Sequence, residues 1–336
     1  MSIATTVFSA GVLKIDAAAV SAHIENEIRD ITLRRLKRKG VVVALSGGID
    51  SSVVAALCAR ALGSARVLGL ILPETDSSPD SLYLANLLAQ SLSIQAKVED
   101  ISGILTSAGC YRRRDEAIRK VIPEYQEGYK CKLVLPDQVN ENAYPIFSVV
   151  VQSPLGQRTK ARLTLDSCLG VVAATNFKQR TRKMLEYYYA DRCNYAVAGT
   201  PNRLEYDQGF FVKNGDGAAD LKPIAHLYKS QVYQLAAHLG VPEAIQRRSP
   251  TTDTYSLDQS QDEFYFPLPY DRMDLCLYAK NHNVPPEEVA PVVGLTLEQL
   301  ARVYRVIDST RTATRYLHRL PVLCEEVPEV PHDFGF

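Results

Sequence analysis

Val41-Val42-Val43-Ala44-Leu45 is a run of five apolar residues between Gly40 and Ser46. Its length and composition predict a short buried strand. Immediately beyond it, Ser51 to about Ala61 is apolar nearly all round a helical wheel (Val53, Val54, Ala55, Leu57, Cys58), which predicts a buried helix. Upstream, Val20, Ile24, Ile28 and Ile31 recur at helical spacing. Asp16 is placed to cap that helix and Gly40 to end it, so it is predicted to run to about Lys39. Arg66 to Leu72 runs apolar more than it alternates, as a central parallel strand does, and Pro73 closes it. A helix over Ser81–Leu92 and a strand over Ala96–Ile101 follow. This strand–helix alternation with short connections predicts an α/β fold with a doubly wound parallel sheet.

The pattern changes between about 104 and 168. Tyr111 to Val121 reads as a charged helix, and its arginines (Arg112, Arg113, Arg114, Arg119) are expected on a solvated face. Lys132 to Leu135 is a candidate strand. Phe147–Gln152 and Lys160–Leu165 alternate at period two around Pro154-Leu155-Gly156-Gln157, a hairpin signal. This stretch is expected to be a partly β insertion in a single domain spanning 1–336. The core pattern resumes with a helix over Asn176–Ala190 and a strand over Tyr195–Ala198, followed by a long loop over Gly199–Asp220. A helix is expected over Lys229–Leu239, ended by Gly240. Ser249 to Tyr270 is rich in polar residues and proline and reads as a loop long enough to be functional. C-terminal helices begin near Pro285-Pro286 and Thr296, and residues 321–336 read as an extended tail.

Composition narrows the class. The 336 residues carry 38 basic and 38 acidic side chains, which excludes a generally basic nucleic-acid surface. No apolar stretch approaches a membrane span, and the first residues lack the pattern of a signal peptide. The seven cysteines are scattered with no Cys-x-x-Cys pair, so reduced thiols and a cytoplasmic location are expected rather than a disulfide framework or a zinc site.

The candidate chemistry begins at the end of the first strand. Ser46-Gly47-Gly48-Ile49-Asp50-Ser51-Ser52 places two glycines and three hydroxyls where a helix N-terminus offers free amides to an anion. Asp50 fits such a site only if a cation stands between it and the phosphates. The loop lacks the spacer and Gly-Lys-Ser/Thr ending of a Walker A sequence. It resembles instead the pyrophosphate loop of enzymes that cut ATP between the α and β phosphates. Later polar clusters stand near strand ends, where open parallel sheets bind ligands: Asn176–Arg182, Gly199-Thr200 with Glu205, Lys213–Asp220, Leu227–Val232 and Pro250–Asp253.

The order of these motifs (SGGIDSS, NFKQRTR, GT with its later glutamate, GFFVKNGDGAADL, LYKSQV, PTTD) resembles the NAD⁺ synthetases over most of residues 16–320. The resemblance implies ATP-dependent amidation of nicotinic acid adenine dinucleotide (deamido-NAD⁺) by ammonia, through an adenylate, with release of AMP and pyrophosphate. It implies ATP contacts at Ala44, Leu45, Ser46, Gly47, Gly48, Ile49, Asp50, Ser51, Thr200, Lys229 and Thr251. Mg²⁺ ligands are implied at Asp50 and Glu205, deamido-NAD⁺ contacts at Arg180, Lys213 and Asp220, and catalytic roles for Asp50 and Lys229. Arg315, His318 and Arg319 are candidates for a further basic contact. A homodimer is implied, and the nitrogen donor is expected to be free ammonia or the product of a separate glutaminase. Two alternatives stay open: an amide ligase of this fold acting on another carboxylate, and a nucleotide-binding regulator without turnover.

Overall fold

The structure, a computed structural model, describes residues 8–136, 139, 147–251, 254–260 and 264–330. Four parallel strands make the main sheet: β1 (Val41–Ala44), β2 (Val67–Ile71), β3 (Gln95–Val98) and β7 (Ala196–Ala198), in the order β3-β2-β1-β7. Val41 pairs with Val67 on one side and Ala196 on the other, so β1 is central and its carboxyl end opens between two neighbours. Side chains alternate across the sheet. Val41 and Val43 enter one core with helices α1 (Ala17–Asp30), α2 (Ile49–Leu62) and α8 (Lys229–His238). Val42 enters the other core, with α4 (Ser102–Ser107) and α6 (Leu165–Cys193). A strand buried on both faces needs an unbroken apolar run, and β1 has one.

Between α5 (Cys110–Arg119) and α6 lies a second sheet of three antiparallel strands: β4 (Lys130–Val134), β5 (Ser148–Gln152) and β6 (Arg158–Arg162). One face, with Cys131, Leu133, Val149 and Val151, packs on Ile118, Ile122 and Val171. The carboxyl-terminal part forms a helical core from Tyr270–Asn281, Pro286–Val293 and Leu297–Thr314. Residues 321–330 are exposed, and the end of the expected tail, 331–336, lies outside the described residues.

Several expectations change. The first helix ends at Asp30, with one wide turn over Ile31–Arg35, rather than at Lys39. The helix expected from Asn176 begins at Leu165: Thr164 caps it by accepting from the Ser167 amide, and buried Ser167, Val171 and Ala174 continue its stripe. The second hairpin strand therefore stops at Arg162. The loop over Gly199–Asp220 contains a short helix, α7 (Arg203–Gln208). Arg114 is not on a solvated face; it is buried against Asp76 at 2.5 Å.

Candidate active site

The turn Leu45–Gly48 joins β1 to α2. Gly47 has φ +73°, and a Cβ there would stand 2.6 Å from the Ser81 carbonyl oxygen and 3.1 Å from Leu84 Cβ. Both the backbone angle and the closeness of helix α3 (Pro79–Ser91) thus require glycine. The hydroxyls brace the turn. Ser51 donates to the Gly48 carbonyl at 3.1 Å and Ser52 to the same oxygen at 2.8 Å, while the Ser46 and Ser51 hydroxyls meet at 3.1 Å. The positive end of α2 faces an open cavity of about 550 Å³ lined by Ser46, Gly48, Asp50 and Ser51.

Asp50 sits in the first turn of α2 with two partners. Its Oδ1 accepts from the Asn202 amide at 3.0 Å, and its Oδ2 accepts from the Lys229 ammonium. Asn202 is also the cap of α7: its side chain accepts from the Glu205 N–H at 3.1 Å, and Glu205 Oε2 accepts from the Asn202 N–H at 3.2 Å. One asparagine thereby ties both acidic residues to fixed backbone. Lys229, the first residue of α8, is only 2% exposed. Burial alone would lower its pKa, but Asp50 and Glu205 outweigh it and hold the ammonium well above its ordinary value. Asp50 and Glu205 both line the cavity and offer hard carboxylate oxygens. Among the described residues no cluster of three or more His, Cys, Asp or Glu side chains is placed to hold a metal. A site with two protein carboxylates fits Mg²⁺ completing its shell with phosphate oxygens and water.

The other end of the cavity is built by α6 and the turn after Phe211. Lys183 and Glu186 form a buried ion pair at 2.6 Å on α6 and line the cavity. Arg180, one turn earlier, is exposed and donates to the Lys213 carbonyl at 3.3 Å. Lys213 donates to the Tyr316 and Arg319 carbonyls at 2.9 and 3.3 Å, so the helical turn Arg315–His318 completes this wall. The His318 ring lies 4.7 Å from Tyr206 and 5.1 Å from Phe211. Asp216, which the sequence pattern did not single out, lines the cavity and accepts from the Val212 N–H at 2.7 Å. Burial pushes its carboxyl up, against the pull of that amide and of Lys183. Its only signal in sequence is the Gly-Asp-Gly turn.

The remaining expected residues divide. Thr200 and Thr251 line the cavity with the phosphate turn. Asp220 does not; its carboxylate accepts from the Val197 N–H at 2.7 Å and from the Tyr187 hydroxyl at 3.3 Å, fixing β7 to α6. Lys178 points into a cluster of its own with Glu74 and Asp76 at 2.9 and 2.7 Å. Neither acid belongs to a motif, and no local pattern marks them.

A family model described as NAD synthase matches residues 20–121 and 140–316. An NH₃-dependent NAD⁺ synthetase of Rhizobium meliloti is 56% identical over 324 residues, 96% of this chain and 97% of that protein. One from Mesorhizobium japonicum is 56% identical over 94% of this chain and 99% of its own length. Among solved structures, an NH₃-dependent NAD synthetase from Campylobacter jejuni superposes with a TM-score of 0.60 at 24% identity, covering 93% of this chain and all of that one. That likeness carries the fold.

Proposed function

The chain belongs to the NAD synthase family, and from that premise we propose that it amidates deamido-NAD⁺ to NAD⁺ with ammonia at the expense of ATP. The nicotinate carboxylate attacks the α-phosphorus of ATP, the bond to the β-phosphate oxygen breaks, and pyrophosphate leaves. Ammonia then attacks the activated carbonyl, its nitrogen loses one proton to water, and AMP leaves with the electron pair of the carbonyl–oxygen bond.

Ala44 to Ser51 cradle the ATP phosphates with backbone amides and the braced hydroxyls. Thr200, Lys229 and Thr251 complete the nucleotide side. Lys229 is a fixed cation beside phosphates on which charge grows as pyrophosphate departs, and its burial makes that charge more effective than it would be in water. Asp50 and Glu205 would hold Mg²⁺, which when bound neutralises phosphate charge and orients the leaving group. Arg180 and Lys213 receive the acidic dinucleotide at the far end. Asp220, set back from the cavity, acts on the ATP side instead, by fixing the β7 end that bears Gly199 and Thr200. Asp216, with its carboxyl pushed up, is suited to take the proton that ammonium must lose before it can attack. No residue needs to act as nucleophile, so positioning carries much of the rate.

The observation that carries this reading is the asparagine-tied pair Asp50 and Glu205 with Lys229, standing beside the phosphate turn in the same cavity that Lys213 and Asp216 line. The test is a product assay with ATP, Mg²⁺, ammonium and deamido-NAD⁺. NAD⁺, AMP and pyrophosphate in equal amounts are expected; ADP in place of AMP would end the proposal.

A homodimer belongs to the same proposal. On α6 the large apolar side chains Leu165, Leu169, Met184 and Tyr188 are each more than half exposed, and their spacing by four places each pair on one face. A Leu169→Asp variant that sediments like the unaltered protein would remove this face from the contact. No helix among the described residues is long and apolar enough to cross a membrane. Free cysteines at all seven positions suit a reducing cytoplasm. The family model leaves residues 122–139 unmatched, which include β4, and matches β5 and β6, so only the β4 part of the antiparallel sheet is read as an insertion in one domain.

A further inference from the structure

Lys178 is 1% exposed, and all three of its ammonium protons have a partner. Two go to Glu74 Oε1 (2.9 Å) and Asp76 Oδ2 (2.7 Å), from the connection between β2 and α3. The third goes to the Thr254 carbonyl at 2.7 Å, far away in sequence. The acids are already served by others. Arg114 donates to Asp76 Oδ2 at 2.5 Å, and Glu74 Oε2 accepts from the Tyr111 hydroxyl at 2.8 Å and the Asp76 N–H at 3.0 Å. Neutralising two carboxylates therefore accounts for part of what Lys178 does and leaves the bond to Thr254 over.

Thr254 belongs to a segment closed on itself, because Thr251 and Ser260 form an antiparallel bridge. The far side of that segment is tied to β4, an edge strand. Ser256 Oγ accepts from the Cys131 N–H at 2.9 Å, the Leu257 N–H donates to the Cys131 carbonyl at 3.1 Å, and the Gln259 amide donates to the Leu133 carbonyl. Tyr255 is buried against Phe264 in the core of the antiparallel sheet. The segment is therefore tied to β4 on one side and to α6 on the other, through Lys178 and through the Tyr255 hydroxyl, which is hydrogen-bonded with Thr175, and Lys178, Thr254 and Thr251 all line the cavity. Three residues of chain span at most about 10 Å, so Thr251 cannot move far without Thr254.

We propose that Lys178 is a positioning residue, whose ammonium grips the Thr254 carbonyl and so holds residues 254–260, and with them Thr251, at the wall of the nucleotide cavity. The inference rests on the reading of Thr251 as an ATP contact. It gives the antiparallel sheet a part in the reaction: β4 carries one mooring, and α5 supplies the arginine and tyrosine that keep Glu74 and Asp76 in place around the other.

The test compares Glu74→Gln, which keeps Lys178 and its bond to Thr254, with Glu74→Gln/Lys178→Met, which removes both charges together and leaves Asp76 paired to Arg114. Hydrogen–deuterium exchange is measured on the ATP-free proteins by mass spectrometry. Loss of one charge-assisted hydrogen bond should raise exchange over 254–260 by about tenfold or more, with α6 peptides unchanged. The KM for ATP should rise more than that for deamido-NAD⁺. Equal exchange over 254–260 in the two variants overturns the proposal. Faster exchange with an unmoved KM for ATP sustains the mooring and removes Thr251 from the nucleotide contacts, so the two failures are told apart. Should the double variant not fold, Glu74→Gln/Lys178→Gln, which keeps an amide donor for Asp76, is read in the same way.

Discussion

Asp50→Asn separates two views of the carboxylate at the heart of the site. In one, Asp50 is a ligand kept at a cost, repelled by Glu205 until Mg²⁺ arrives, and removing its charge should stabilise the metal-free protein. In the other, Asp50 is the counter-charge of a buried ammonium. The geometry favours the second. Lys229 is 2% exposed and donates to Asp50, while Glu205 acts on it only at longer range. Removing one partner of a buried ion pair costs about 3–5 kcal/mol. Three features reduce that figure here. The Asp50 side chain is 16% exposed, Glu205 remains nearby, and asparagine still offers Lys229 an oxygen. A loss of about 2 kcal/mol is expected, some thirtyfold in the folded-to-unfolded ratio. The measurement is denaturant unfolding followed by circular dichroism, with chelator present so that no metal contributes. Turnover to NAD⁺ should be lost in the same variant under saturating Mg²⁺, with the fold retained. A variant as stable as the parent, or more so, would refute the counter-charge reasoning. Retained turnover would take Asp50 out of the metal site.

Two further outcomes follow from carboxyls that burial has shifted upward. Asp216→Asn should lower kcat/KM for ammonia by about 10²-fold, the usual worth of a positioned base, and leave the KM for ATP within about twofold. The deficit should shrink as pH rises and free ammonia replaces ammonium; a deficit constant across pH would exclude the proton-accepting role. Asp274, which accepts from the Ser230 N–H and hydroxyl at 2.7 and 2.8 Å, has its carboxyl pushed up to about 6 by burial, with those donors and Lys229 pulling the other way. The folded protein therefore binds this proton more tightly than the unfolded chain, and the group's contribution to stability falls as pH rises from about 4 to about 6. Asp274→Asn removes that dependence, so its stability relative to the parent should improve between pH 4.5 and 7.5 by about 2 kcal/mol. Parallel stability–pH curves for the two proteins would refute it.

The parts legible in sequence are those where one local pattern suffices. The strand at Val41 is buried on both faces, so it appears as an unbroken apolar run, and the glycines after it announce a turn. The start of α6 is masked in sequence because Lys160–Leu165 alternates like a strand, and only the cap at Thr164 betrays the change. Helix α7 has six residues and no apolar period to display; its signal is the spacing of Asn202 and Glu205. Arg114's burial is invisible in sequence because a helix's own residues do not reveal an acid brought by another element, here Asp76 from the connection after β2. Asn202 lies between two recognised residues yet is not marked by either motif, because its function is to join elements that meet only in three dimensions.

Helix α6 is one uninterrupted rod of 29 residues, about 43 Å long. The positions that face the site, 178, 180, 183 and 186, lie within two and a half turns of it. Their separation and angular order are thus set by helical pitch alone, independent of any loop. A single residue inserted or deleted between 178 and 186 would turn everything beyond it by about 100°, swinging the Lys183–Glu186 pair off the cavity while Lys178 stayed in register. Changes of chain length in descendants of this sequence should accumulate in the connections flanking the rod and be excluded from that nine-residue interval.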